Sequence, residues 1–185
     1  MPLDQIRMDY DDVAWERSDE LFDQFKHILY SDGVANDIAM LSQNRWRGVP
    51  RELYEPISGS SNACLRLWFE DGRSAMIRIA IPGRVMLFEK ASAEVAAMRF
   101  IADRTTIPIP LVIYLGSQAE SRGHLGPFMI AEYVEHTRTV SEALNILGRS
   151  DDERPLLDPD IPQQKRESLY GHMAQILLKL AQPSL

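Results

Sequence analysis

Cysteine is nearly missing: Cys64 is the only one in 185 residues. A lone thiol excludes an internal disulfide and a cysteine-based metal site, and in its predicted strand it reads as a small buried hydrophobe. Long apolar runs are missing too, since no stretch reaches the roughly 18 residues that a membrane-spanning helix requires. Positive charge is in deficit, with 20 Lys and Arg against 27 Asp and Glu, a net charge of -7. A broad nucleic-acid footprint needs clustered cations, so this balance argues against one and leaves room for a small local cationic site. The opening stretch MPLDQIRMDYDDVAWERSDE is acidic and lacks the charged-then-apolar pattern of a secretory leader. The expectation is a soluble, cytoplasmic protein with neither membrane nor nucleic acid among its partners. Internal repeats and low-complexity tracts are also lacking.

What is there is the composition of a globular chain, 45% apolar and 25% charged. A chain of this length buries roughly 70% of its unfolded surface, enough for a real core. Residues 1–50 read as helical and peripheral. Ser18 is a candidate cap for a helix whose stripe is Leu21, Phe22, Phe25, Ile28 and Leu29, and a second short helix is expected near Asp37–Gln43. The stretch RWRGVPRELYEP, punctuated by Gly48, Pro50 and Pro56, reads as a loop.

From residue 57 the period changes. In ACLRLWFE, Ala63, Leu65, Leu67 and Phe69 take one side, while Cys64, Arg66 and Trp68 take the other. Asp71-Gly72 is a hairpin turn, and SAMIRIAIPG returns with Ala75, Ile77, Ile79 and Ile81 on one face and Met76, Arg78 and Ala80 on the other. LFEKASAEVAAMRFIADRT predicts a helix of about five turns, stopped by IPIP. LVIYLG and PFMIAEYVEH are two further strands, and TVSEALNIL is a short helix. The acidic, proline-bearing GRSDDERPLLDPDIPQQ leads into a last helix, SLYGHMAQILLKLAQPSL, which is apolar almost all the way round. The order implies an α+β protein: a five-stranded antiparallel sheet with one long helix, inserted after the third strand, packed on one face.

Three features of the middle section carry chemistry. Gly59, Ser60, Ser61 and Asn62 make a tight turn that is either a cradle for phosphate oxygens or simply a turn. Arg78 interrupts a strand of Ile and Ala, so it either meets a partner or ligand or reaches solvent from an edge strand. Glu94 lies inside the helical stripe of Ala91, Val95, Met98, Ile101 and Ala102, where a carboxylate is either paired or snorkels outward. A strand arginine and an inward helix glutamate one loop apart can satisfy each other. The histidines lack such company: His27 and His124 read as exposed, and His136 and His172 have no base-and-carboxylate neighbours in the sequence.

The segments GSSNACLRLWFEDG, MIRIAIPG, FEKASAEVAAMRFIADRTTIPIP, LGPFMIAEYVE and YGHMAQILLKLA together resemble the small lobe of the protein-kinase-like fold. The resemblance is nearest to the aminoglycoside phosphotransferase and choline kinase group, in particular its fungal-type phosphotransferase enzyme family, and spans about residues 55–182. It implies that residues 57–64, with Gly59, Ser60, Ser61 and Asn62, cover the phosphates of ATP. Arg78 takes the place of the strand lysine on the α- and β-phosphates, and Glu94 is its helix partner. The backbone of Glu132, Tyr133 and Val134 meets adenine with Ala131 behind it, and Met76 presses on the ring. Arginine for lysine is a departure, because a planar fork differs from a point charge.

A second departure is an absence. None of the four histidines opens an H-G-D-like catalytic segment, and no later Mg²⁺-binding aspartate follows. The run Asp151, Asp152, Asp158 and Asp160 reads as a solvated loop. No catalytic and no metal-ligating residue is therefore assigned, and Mg²⁺ is expected with ATP only where a large lobe supplies its ligands. The sequence is thus read as a 1–50 helical extension, a 51–148 kinase-like lobe, and a 149–185 linker with the first helix of a missing large lobe. It is expected to bind nucleotide weakly and to transfer no phosphate unaided. The alternative is a non-catalytic scaffold that binds a protein partner or a second copy through the last helix.

Overall fold

Strict alternation along one strand sets the sheet. In β3 (Asn62–Phe69) every second residue is buried, and its partner β4 (Ser74–Ala80) alternates from Ala75 to Ile79, with Ser74 and Ala80 buried as well. The pair closes through Asp71-Gly72, where Gly72 has φ +83° and its N–H donates to the Phe69 carbonyl at 3.1 Å. The computed structural model describes residues 12–31, 33–59, 61–84, 87–146 and 156–182. The chain divides into two units: Met1–Phe100 with Ile109–Tyr133, and Ile101–Pro108 with Val134–Leu185.

The first unit is α+β. Its antiparallel sheet runs β1 (Pro50–Leu53), β3, β4, β6 (Phe128–Glu132), β5 (Val112–Gly116), and the two-residue β2 (Ile57–Ser58) also pairs with β3. β1 lies against the Leu67–Phe69 end of β3 and β2 against Ala63–Cys64, so the two occupy one edge position and the sheet is five positions wide. The loop expected over residues 45–56 is thus corrected. Trp46 ends a helix and Pro50–Leu53 is an edge strand, with a register irregularity between Pro50 and Glu52. Proline is tolerated at the start of an edge strand, where no ladder donor is needed.

Two helices cover one sheet face. α1 (Asp12–Leu29) and α2 (Val34–Trp46) supply Phe25, Leu29, Val34 and Ile38 to a core shared with Leu65, Leu67, Ile77, Ile79 and Ile130. They belong to the core rather than the periphery. α1 begins six residues before Ser18, whose hydroxyl caps nothing and instead donates to the Gly83 carbonyl at 3.1 Å. On the opposite face, α3 (Leu87–Arg104) places Val95 against Met129 and Ala131, with Met98, Val112 and Leu115 around them. Ala102, expected in the buried stripe, is exposed.

A polar cluster ties α2 to β5. The Arg45 guanidinium stacks 3.8 Å from the Tyr114 ring and donates to its hydroxyl at 2.9 Å, and that hydroxyl donates to Glu120. Glu120 accepts from the Ser117 N–H at 2.9 Å, from Tyr114 and from the Ser117 hydroxyl, which together lower its carboxyl from 4.5 to about 2. A carboxyl whose folded pKa is depressed stabilises the fold fully above its unfolded pKa and loses that contribution as pH falls toward the folded one. Urea-unfolding midpoints measured between pH 4.5 and 2 are therefore expected to fall less steeply in Glu120→Gln than in the unsubstituted chain; parallel slopes would contradict this.

The second unit is described by itself. Its short helix α4 (Val140–Leu144) is held by a capping box in which the Thr139 hydroxyl accepts from the Glu142 N–H at 3.2 Å and the Glu142 carboxylate accepts from the Thr139 N–H at 2.6 Å. α5 (Gln163–Ala181) buries no residue, and Tyr170, Met173, Ile176, Leu177, Leu178 and Leu180 are 41–69% exposed. Among the described residues no helix is long and apolar enough to cross a membrane.

Candidate functional site

The sheet face that α1 and α2 leave uncovered carries the side chains of interest. Arg78 sits in mid-β4, opposite Cys64 on β3 and Met129 on β6. Its Nη1 donates to Oε1 of Glu94, which α3 brings over this face beside Val95. The Asn62 amide, with its oxygen turned to the guanidinium, accepts from Arg78 Nε at 3.2 Å and Nη2 at 2.8 Å, while its nitrogen donates to the Ser61 carbonyl at 3.2 Å. Of the five guanidinium N–H groups three are engaged among the described residues, which leaves one on each Nη. The Arg78 and Glu94 side chains are 33% and 27% exposed. The pair is therefore neither a screened surface bridge nor fully desolvated.

On the far side of Cys64, the register partner of Arg78, lies a pocket of about 200 Å³ whose walls include Tyr54, Ile57, Cys64, Arg66, Met76 and Tyr133 but neither Arg78 nor Glu94. Cys64 is half-buried here rather than in the main core. Burial raises its thiol pKa, Arg78 opposing and Glu94 reinforcing the shift. Met76 and Tyr133, two residues expected at the base of a nucleotide, both line this pocket.

The other expected residues are tied up to different degrees. The Gly59 N–H donates to the Asn62 carbonyl at 2.8 Å, so it closes the β2–β3 turn. Ser61 accepts from the Ile81 N–H at 3.0 Å, and Ser60 lies outside the described residues. Glu132 N–H donates to the Leu111 carbonyl at 2.9 Å and Tyr133 N–H to that of Ser74 at 3.0 Å, so both donors are committed to the sheet. Val134 belongs to the second unit, where its carbonyl meets His136 Nδ1 at 2.9 Å.

Arg66 is the residue that sequence reasoning passed over. Its guanidinium lies 4.2 Å from the Tyr133 ring centroid and 5.1 Å from that of Tyr54, and its Nη2 and Nε donate to the Ser74 hydroxyl at 3.0 and 3.3 Å. The alternation that put Arg66 on the same face as Cys64 was the available signal.

Of the acidic run, Asp151 and Asp152 lie outside the described residues. Asp158 is half-buried, and one of its carboxylate oxygens accepts from the Asp160 N–H at 2.9 Å. His27, His124, His136 and His172 are exposed. No group of three or more His, Cys, Asp or Glu able to hold a metal occurs among the described residues. Comparison with protein-family models, curated proteins and solved structures finds no match.

Proposed function

We propose that the first unit is a nucleotide-binding lobe of the aminoglycoside phosphotransferase and choline kinase type, which takes ATP weakly with its phosphates at Arg78. The observation that carries this reading is the Arg78 guanidinium, held by Glu94 and Asn62 with two N–H groups left among the described residues, on the sheet face that also bears a pocket lined by Cys64, Met76 and Tyr133. An antiparallel sheet with a long helix packed across β5 and β6 is the arrangement such a lobe requires. Glu94 neutralises much of the charge a polyphosphate would feel, which is the physical reason for weak binding. The 185 residues contain no H-G-D-like segment, so this chain by itself transfers no phosphate; Mg²⁺ accompanies ATP where a large lobe provides carboxylates.

Cys64 is a built-in probe, since it is the only thiol and lines the pocket. Its raised pKa keeps the reactive thiolate scarce at neutral pH, so alkylation is best followed near pH 8.5. Millimolar ATP is expected to slow Cys64 alkylation severalfold in the unsubstituted chain and not in Arg78→Ala. An unchanged rate with ATP, together with a flat ATP titration, would remove the nucleotide reading.

The exposed apolar residues of α5 favour a second reading, an interaction module that binds a protein partner or a second copy of the chain. Size-exclusion chromatography with light scattering, run over a hundredfold range of concentration, separates the two: a clean monomer throughout disfavours self-association.

A further inference from the structure

We infer that Arg66 is a positioning residue for the base end of the pocket, fixing the rings of Tyr54 and Tyr133 as its walls. The inference rests on the nucleotide reading above and assigns a division of labour between two arginines on one sheet face. Arg78 stands opposite Cys64, and Arg66 two pairs along on the same face, opposite Met76. Arg78 is turned to Glu94 and Asn62, whereas Arg66 is turned to two aromatic rings and a serine.

The brace is closed by backbone. Tyr54 N–H donates to the Arg66 carbonyl at 2.9 Å, which ties the first ring to the strand that carries the guanidinium. Tyr133 N–H donates to the Ser74 carbonyl at 3.0 Å, and the hydroxyl of this same serine, 5% exposed, accepts from Arg66. One buried residue thus holds both the cation and the ring above it. A planar guanidinium can present its flat face to aromatic rings while its edge donates to a hydroxyl, and an ammonium cannot do both. With Met76 and Ile57, the two rings form the apolar part of the pocket, where a base would be gripped, two residue pairs along the strands from Arg78.

The test compares a ligand that has a base with one that has only phosphates. ATP and tripolyphosphate are titrated separately, by ¹H–¹⁵N NMR, into the full chain and into Arg66→Ala, Arg66→Lys and Arg78→Ala. Arg66→Ala is expected to weaken ATP roughly tenfold, about 1.4 kcal/mol, and to leave tripolyphosphate within about twofold. Arg66→Lys keeps the charge and loses the flat face, so it is expected to weaken ATP by about threefold or more, again without affecting tripolyphosphate. Arg78→Ala is expected to weaken both ligands. Equal ATP affinity in Arg66→Ala, or equal weakening of both ligands, overturns the inference and spares the nucleotide reading. An unsubstituted chain that binds no ATP overturns both. Should Arg66→Ala fail to fold, Arg66→Lys decides alone, by the same criteria.

Discussion

Gly116→Ala is expected to cost the first unit about 3 kcal/mol or more, among the largest effects of any single methyl added to this chain. Gly116 ends β5 opposite Phe128 of β6, and a Cβ built there would lie 2.1 Å from Phe128 Cζ and 2.3 Å from Cε1. Phe128 is 4% exposed and belongs to the main core, so its ring can move only by disturbing that core. An opposing term exists, because alanine restricts the unfolded chain and stabilises by about 0.4–1 kcal/mol where its conformation is tolerated. Overlap with an aromatic ring exceeds that gain, and the sign of the effect follows. A lower urea midpoint with unchanged m-value is the expected signature. Phe128→Leu combined with Gly116→Ala separates the causes. If the ring contact is responsible, the double variant is less destabilised than the sum of the singles. Strict additivity would place the cost elsewhere.

This glycine also shows where sequence reading ends. LVIYLG announced a strand correctly, yet nothing in those six letters says that an aromatic from the neighbouring strand lies over the last of them. Local periodicity was enough for the β3–β4 hairpin, where every residue predicted to be buried is so, though Ser74 and Ala80 are buried as well, and for α3 to within a residue. It also juxtaposed Arg78 and Glu94, because a mid-strand cation and a carboxylate inside a helical stripe each demand a partner. It missed Pro50–Leu53, where four residues with two charges outward are too few to show a period of two. It found the apolar stripe of α1 but not its docking face, since that depends on a core assembled from strands as distant in the chain as Ala63 and Ile130. Arg66 illustrates the same limit at the site. Its face was readable, whereas its stacking on Tyr54 and Tyr133 comes from two segments that only the sheet brings together.

The Arg78–Glu94 pair gives the largest expected effect on the site itself. Glu94→Ala leaves a half-buried guanidinium with Asn62 as its one remaining acceptor among the described residues. Removing one member of a fully buried pair costs about 3–5 kcal/mol, and partial solvent exposure reduces this to about 1–2 kcal/mol. Replacing both residues with apolar ones, as in Arg78→Met with Glu94→Leu, removes the orphaned charge, so the double variant is expected to unfold at a higher urea concentration than Glu94→Ala. Ligand binding is expected to move the other way. Hydrogen bonds to charged groups contribute about 1.5–3 kcal/mol each, so loss of the Arg78 fork is expected to weaken tripolyphosphate ten- to hundredfold in Arg78→Ala and in the stable double variant alike. Arg78→Lys retains a cation that can still pair with Glu94 but cannot chelate the Asn62 oxygen through two N–H groups, and its affinity is expected to fall between these limits. A stable double variant that binds tripolyphosphate as tightly as the unsubstituted chain would mean that this pair holds α3 to the sheet and nothing more.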